Sequence, residues 1–206
     1  MPFNARNFTK NAVIIAATIS VGAVFVVNGV IPNVQPKNFG KVEPGVLYRS
    51  GILTTAALES VVDEHNIELV IDLGGHIQDT DGDHRETRAA ESLGIERILL
   101  PLFGDGTGDP NQYAEALRRI RTSPGPVLVH CHAGAQRTGV AIILWRMFDQ
   151  GWTLDEALTD AALYGHDPTD NAKLEAYVRE WAAAIDESAR TGVRIEYDGP
   201  TAVLSP

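Results

Sequence analysis

Residues 130–139 read His-Cys-His-Ala-Gly-Ala-Gln-Arg-Thr-Gly and follow directly on the apolar run Val127-Leu128-Val129. Cys131, the one cysteine of the chain, therefore stands at the end of a predicted buried strand. Arg137 stands at the mouth of a predicted helix. A thiol in that position is expected to be partly ionised, because a helix N-terminus and a nearby guanidinium both favour the thiolate. The residues between, His132, Ala133, Gly134, Ala135 and Gln136, can turn backbone N–H groups inward around an anion. Gly134 permits a turn that a Cβ would hinder. A nucleophile and an anion cradle built from the same few residues suit attack on a phosphate ester. A lone buried cysteine is ordinarily inert core, and a lone arginine ordinarily pairs at the surface. Here it is their shared register that points to chemistry.

The surrounding elements must hold that loop. Val46 to Arg49 reads as a short strand after a turn at Pro44-Gly45, and Thr54 or Thr55 can cap a helix through Ala56 to His65. Ile67 to Leu73 is a nearly continuous apolar run, as in a strand covered on both faces. A polar loop (His76 to Asp83), a helix from Arg85 to Leu93 closed by Gly94, and a strand from Ile95 to Leu100 follow. Phe103 to Asp109 is a Gly/Asp-rich loop, and Pro110 suits the first turn of a helix to Arg121. After the strand from Pro126 to His130 come helices over Thr138–Gln150, Leu154–Tyr164 and Asn171–Ala189, with a short strand expected at Val193 to Tyr197. The alternation predicts an α/β fold: a mostly parallel central sheet flanked by helices on both sides. In such sheets ligands sit at the carboxyl ends of the strands, where the cysteine loop and the Phe103–Asp109 loop both emerge. His76, His84 and Asp72 match no common metal-ligand spacing and are read as loop and cap residues.

The chain has 206 residues and a net charge of −10, and no acid precedes Glu43. A domain so acidic is poorly suited to nucleic acid or anionic lipid, so any positive pocket must be local. Residues 12–31 are almost wholly apolar and uncharged, about the length that crosses a bilayer as a helix. Arg6 and Lys10 precede them. The expected organisation is a basic tail (1–11), a membrane span (12–31), a linker (32–42), the catalytic domain (43–190) and a C-terminal tail (191–206). An uncleaved signal anchor is favoured over a cleaved peptide, since the best cleavage site, near Gly29, has Val27 at minus three. The charge bias favours an inner-membrane, single-pass protein with its domain outside the cytoplasm.

The run His130-Cys131-x5-Arg137-Thr138 resembles the signature of the cysteine-dependent protein tyrosine phosphatase superfamily, His-Cys-x-x-Gly-x-x-Arg-Ser/Thr, with Gly134 at the glycine position. Pro44-Gly45-Val46-Leu47-Tyr48-Arg49-Ser50-Gly51 is similar to the N-terminal strand of small bacterial dual-specificity-type phosphatases. The resemblance runs from about Asn38 to Tyr164. It implies that Cys131 attacks phosphorus to form a phosphocysteine, and that Arg137 holds two phosphate oxygens. Amides of His132 to Arg137 would bind the remaining oxygens. Thr138 would donate to the sulfur, and His130 would orient the loop and tune the thiolate. No metal or other cofactor is implied. A general acid is expected on the loop after the preceding strand, which offers Asp105 and Asp109; the separation from the cysteine usual in the family favours Asp105.

Phosphorylated proteins or small phosphomonoesters are the expected substrates. The loop has no lysine between Cys131 and Arg137, which disfavours an inositol polyphosphate. Two other readings are a membrane-anchored phosphate-recognising module with little catalysis and a phosphoinositide or inositol phosphate phosphatase. A sulfur-handling or arsenate-reducing enzyme would want a second thiol, and the chain has one cysteine.

Overall fold

A computed structural model describes residues 36–202. Five short strands form one sheet: β1 (Gly40–Glu43), β2 (Leu47–Ser50), β3 (Leu69–Asp72), β4 (Glu96–Leu99) and β5 (Val127–His130). Their spatial order is β1-β2-β5-β3-β4. β2, β5, β3 and β4 run parallel, and β1 lies antiparallel on the edge beside β2. The sheet is therefore mixed. β1 occupies a stretch that reads as linker, because its four residues carry no strand pattern of their own. The short turn at Pro44-Gly45 returns the chain onto β2 and imposes the pairing.

The pleat sorts alternate residues of each central strand to opposite faces. Leu47, Leu69, Ile71, Val127 and Val129 face one core. There they meet the helices α3 (Pro110–Thr122), α4 (Gln136–Phe148), α5 (Leu154–Ala162) and α6 (Ala172–Thr191). Tyr48, Val70 and Leu128 face the other core, under α1 (Thr55–His65) and α2 (Asp81–Leu93). α4 is buried continuously from Thr138 to Trp145, so it is covered on all sides and its register is fixed by packing. α2 starts four residues before the sequence suggests. Asp81 and Gly82 look like loop, but Asp83 is held by Arg97 of β4, and this closes the first turn. The expected strand at Val193–Tyr197 does not form. Ile195 instead exchanges backbone bonds with the Asn111 side chain at 2.9 and 3.1 Å.

Among the described residues no helix is long and apolar enough to cross a membrane. That finding overturns the expected placement as a single-pass inner-membrane protein with an extracytoplasmic domain and a membrane partner, since no described element supplies the span. Segment 12–31, on which that expectation rested, lies outside the described residues, as do residues 1–11 and 203–206.

β3, β4 and α2 meet at a buried ionic cluster. The Arg97 guanidinium lies 2.7 Å from Asp72, 2.7 Å from Asp83 and 3.7 Å from Glu86. Burial by itself would lower the arginine's pKa, but the three carboxylates outweigh it and the charge is held firmly. Removing the guanidinium strands those buried carboxylates. Arg97→Ala is therefore expected to cost about 3–5 kcal/mol in urea unfolding at neutral pH. The loss should shrink as pH falls and the abandoned carboxylates protonate. An unfolding midpoint unchanged from wild type would refute this account of the cluster.

Candidate active site

Cys131 follows β5 directly, and the loop from it to Gln136 crosses the carboxyl ends of the parallel strands. The carbonyls of His132, Ala133, Gly134 and Ala135 are each tied to a partner outside the ring. That of His132 accepts from the Ile52 amide at 3.1 Å, and that of Ala135 from the Gly139 amide at 2.8 Å. The Ala133 carbonyl accepts from the Asn38 side chain at 2.9 Å, and the Gly134 carbonyl from Arg49 at 2.6 Å. Peptide planarity then turns the amides of Ala133, Gly134, Ala135 and Gln136 to the opposite side, into the ring. Gly134 is at φ +70°, and a Cβ there would meet the Gly51 nitrogen at 2.5 Å. Both the conformation and the close backbone approach require glycine. Ala135 caps α4 without a side-chain bond, so the helix N-terminus faces the loop open.

The Cys131 side chain is buried at the floor of this ring. Burial is the largest influence on it and opposes ionisation. The Arg137 charge, the Thr138 hydroxyl and the amides of Thr138 and Gly134 together outweigh that, and hold the thiol below its usual range. Arg137 is the second residue of the adjoining helix, in its first turn. Its Nη1 donates to the Leu73 carbonyl at 3.2 Å and to that of Gly74. A cleft of about 290 Å³ opens above, lined by Gly74, Gly75, Phe103, His132 and Arg137 among others.

Beneath the loop, His130 lies fully buried with its Nε2 2.6 Å from the Glu86 carboxylate. Burial opposes the imidazolium, yet Glu86 and Asp72 overcome it and raise the histidine to about 9. Glu86 is correspondingly lowered despite its own burial, chiefly by His130. Asp72, read from sequence as a loop or cap residue, accepts from the Gly75 amide at 2.5 Å and pairs with Arg97. It thereby fixes the turn whose carbonyls hold Arg137. Asp72, Glu86 and His130 are close enough to share a metal ion. The guanidinium of Arg97 already places a cation between the two carboxylates.

Arg49 is a site residue that the sequence reading missed as such. It is fully buried, its guanidinium stacks 3.8 Å over the Tyr164 ring, and it props Gly134 from below. Burial lowers its pKa to about 10, which leaves it charged at neutral pH. A charged residue at the centre of a four-residue strand was the available signal.

The two aspartates separate clearly. Asp109 is the N-cap of α3, and its Oδ1 accepts from the Asn111 amide at 2.9 Å. Asp105 lies on the loop before α3, where it accepts from the Thr107 hydroxyl at 2.7 Å and faces Lys173 at 3.4 Å. Burial works to raise Asp105, but these donors prevail and lower its pKa. The buried Tyr113 hydroxyl joins this loop to the signature helix, donating to the Gly106 carbonyl at 2.8 Å and approaching that of Arg137 at 3.4 Å.

A tyrosine phosphatase family profile matches residues 105–148. The dual specificity protein phosphatase TpbA of Pseudomonas aeruginosa strain UCBPP-PA14 is 34% identical over 88 residues, which cover 41% of this chain and 40% of that protein's length. The crystal structure of P. aeruginosa TpbA, in a cysteine-to-serine form in complex with phosphotyrosine, superposes with a TM-score of 0.61 at 23% identity, covering 80% of this chain and 96% of that one. The core catalytic domain of the PP-IP phosphatase SIW14 from S. cerevisiae, in complex with citrate, gives a TM-score of 0.59 at 19% identity, with 79% and 98% covered. Those structural likenesses establish the fold, while the matched sequence coincides with the loop, the helix behind it and the Asp105 segment. Within residues 105–148, the segment that carries Cys131 and Arg137, the chain is similar to the tyrosine phosphatase family.

Proposed function

We propose that the protein is a dual-specificity-type phosphatase that hydrolyses phosphomonoesters through a phosphocysteine intermediate. The observation that carries this reading is the ring of inward amides around a thiol whose pKa is lowered by Arg137 and Thr138. In the first step the Cys131 thiolate attacks phosphorus, the phosphorus–oxygen bond to the leaving group breaks, and Asp105 gives that oxygen its proton. In the second step water attacks phosphorus, Asp105 takes the water's proton, and the phosphorus–sulfur bond breaks. Thr138 donates to the departing sulfur. Arg137 and the amides hold the equatorial oxygens throughout. His130 acts through the loop: paired with Glu86, it places a buried positive charge behind the sulfur. Phosphotyrosine and phosphoserine/threonine side chains are the substrates this assignment suits. The test is turnover of p-nitrophenyl phosphate in the presence of a chelator, with competitive inhibition by vanadate; a chelated protein without turnover refutes the activity.

The acid assignment has its own test. A general acid works protonated, and the donors around Asp105 lower its pKa. Its protonated fraction is therefore lost early as pH rises, so turnover should decline on the alkaline side from an acidic optimum. Asp105→Asn is expected to cut kcat by about 10²-fold and to flatten that alkaline decline. Asp109→Ala should instead cost about 1 kcal/mol of stability through the lost cap and keep the pH profile. The converse pair of outcomes would transfer the role to Asp109.

A further inference from the structure

Beside the loop lies a second, larger cavity of about 550 Å³. It is enclosed by the segment before α1, by α1 itself and by the first turns of α2. His76 lines both it and the cleft above Arg137, so the two are neighbours. Its wall is also bonded directly to the phosphate loop. Ile52, on that wall, donates to the His132 carbonyl, and Lys37 precedes Asn38, which donates to the Ala133 carbonyl. The Lys37 carbonyl in turn accepts from the Gly51 amide at 2.6 Å.

The cavity carries two exposed cations, Lys37 and Arg85. In a chain of net charge −10, most arginines have a carboxylate within reach, including Arg97, Arg118, Arg119, Arg121 and Arg179. Among the described residues, Lys37 and Arg85 make no such pair. Glu86, the acid on the same wall, is committed to His130. The rest of the lining is largely apolar, from Ile52, Leu53 and Leu58. A pocket with two unneutralised cations over an aliphatic floor suits an amphipathic anion: a carboxylate on a methylene stem, beside an apolar neighbour. A densely phosphorylated small molecule would leave that floor against charge.

We propose that this cavity is a substrate subsite that receives an acidic side chain flanking the phosphorylated residue of a peptide, with Lys37 and Arg85 as its specificity-determining residues. The inference rests on the phosphohydrolase reading of the neighbouring loop. It accounts for how a loop without lysine can serve a substrate of higher charge: the additional cations stand on the adjoining wall.

The test compares two phosphotyrosine peptides identical except for glutamate or glutamine at the flanking positions. Calorimetry on full-length Cys131→Ser protein reads binding whether or not the wild type turns over. The glutamate peptide is expected to bind about 10-fold more tightly, and the preference should fall with added salt. Lys37→Ala/Arg85→Ala should bring the ratio near one, and Lys37→Glu/Arg85→Glu should invert it. Both side chains are exposed, and a melting curve establishes that each variant is folded. Equal affinities in the parent protein, or a ratio that survives both double variants, would overturn the subsite. An inositol polyphosphate that binds more tightly than the glutamate peptide, and loses that advantage in the same variants, would overturn the peptide assignment. Failure of p-nitrophenyl phosphate hydrolysis would defeat the activity, with the peptide ratio still deciding the subsite.

Discussion

Cys131→Ser is expected to lower turnover of an aryl phosphate by at least about 10⁴-fold while preserving the fold. Serine nearly matches the cysteine in size, and the position is walled by β5, α4 and a loop whose carbonyls are tied elsewhere, so the exchange perturbs packing little. What disappears is the ionised nucleophile. The Arg137 charge, the Thr138 hydroxyl and two amides ionise a thiol against the cost of burial, and a hydroxyl is far too weak an acid for the same surroundings to do so. The pH dependence follows from the sign of the shift. A thiol lowered in the folded state is reactive above its folded pKa and loses reactivity as pH falls through it. Inactivation by iodoacetate should therefore be rapid well below pH ~8.5, the free thiol's value, and slowed by vanadate or phosphate. The linked stability has the same sign: it is fully present above the unfolded thiol's pKa and lost as pH falls through the folded one. A serine variant with substantial activity, or a thiol that resists alkylation until about pH 9, would remove Cys131 from the chemistry.

The second large effect concerns Arg137. Arg137→Lys is expected to lower kcat by about 10³-fold, with a much smaller effect on the alkylation profile of Cys131. Lysine retains a positive charge near the sulfur, so much of the support for the thiolate survives. It lacks the planar fork that can hold two phosphate oxygens at once. It also lacks the geometry by which Nη1 spans the Leu73 and Gly74 carbonyls, the contacts that hold the guanidinium at the edge of the cleft. Measuring the two quantities on one variant separates charge from shape. Equal losses in turnover and thiol reactivity would mean that Arg137 acts only as a charge.

Glu86 and Asp72 act one layer further out. Glu86 keeps His130 charged, and Asp72 fixes the turn bearing the carbonyls that Arg137 holds. Both lie on a cluster anchored by Arg97, so the stability of the β3–β4 edge and the order of the site are connected. The destabilisation expected of Arg97→Ala should be accompanied by weaker thiol ionisation.

The chain by itself determined the loop that joins Cys131 to Arg137. Cys131 and Arg137 are joined by a few covalent links between a strand and a helix, so their relative placement depends on local geometry, which residue types and spacing encode. The parallel order of the central strands was legible for a related reason: apolar runs alternating with amphipathic helices leave few ways to bury both. Only the tertiary structure decided the rest. β1 becomes a strand because β2 offers it an edge, and nothing in Gly40–Glu43 announces this. Arg49 lies 85 positions from the Gly134 carbonyl it supports, and Arg97 lies 25 from Asp72. Asp105 and Asp109 are near neighbours in sequence, yet one caps a helix and the other faces Lys173, 68 positions away. Long-range pairings of this kind depend on which surfaces the folded sheet and helices bring together, and linear spacing carries no record of them.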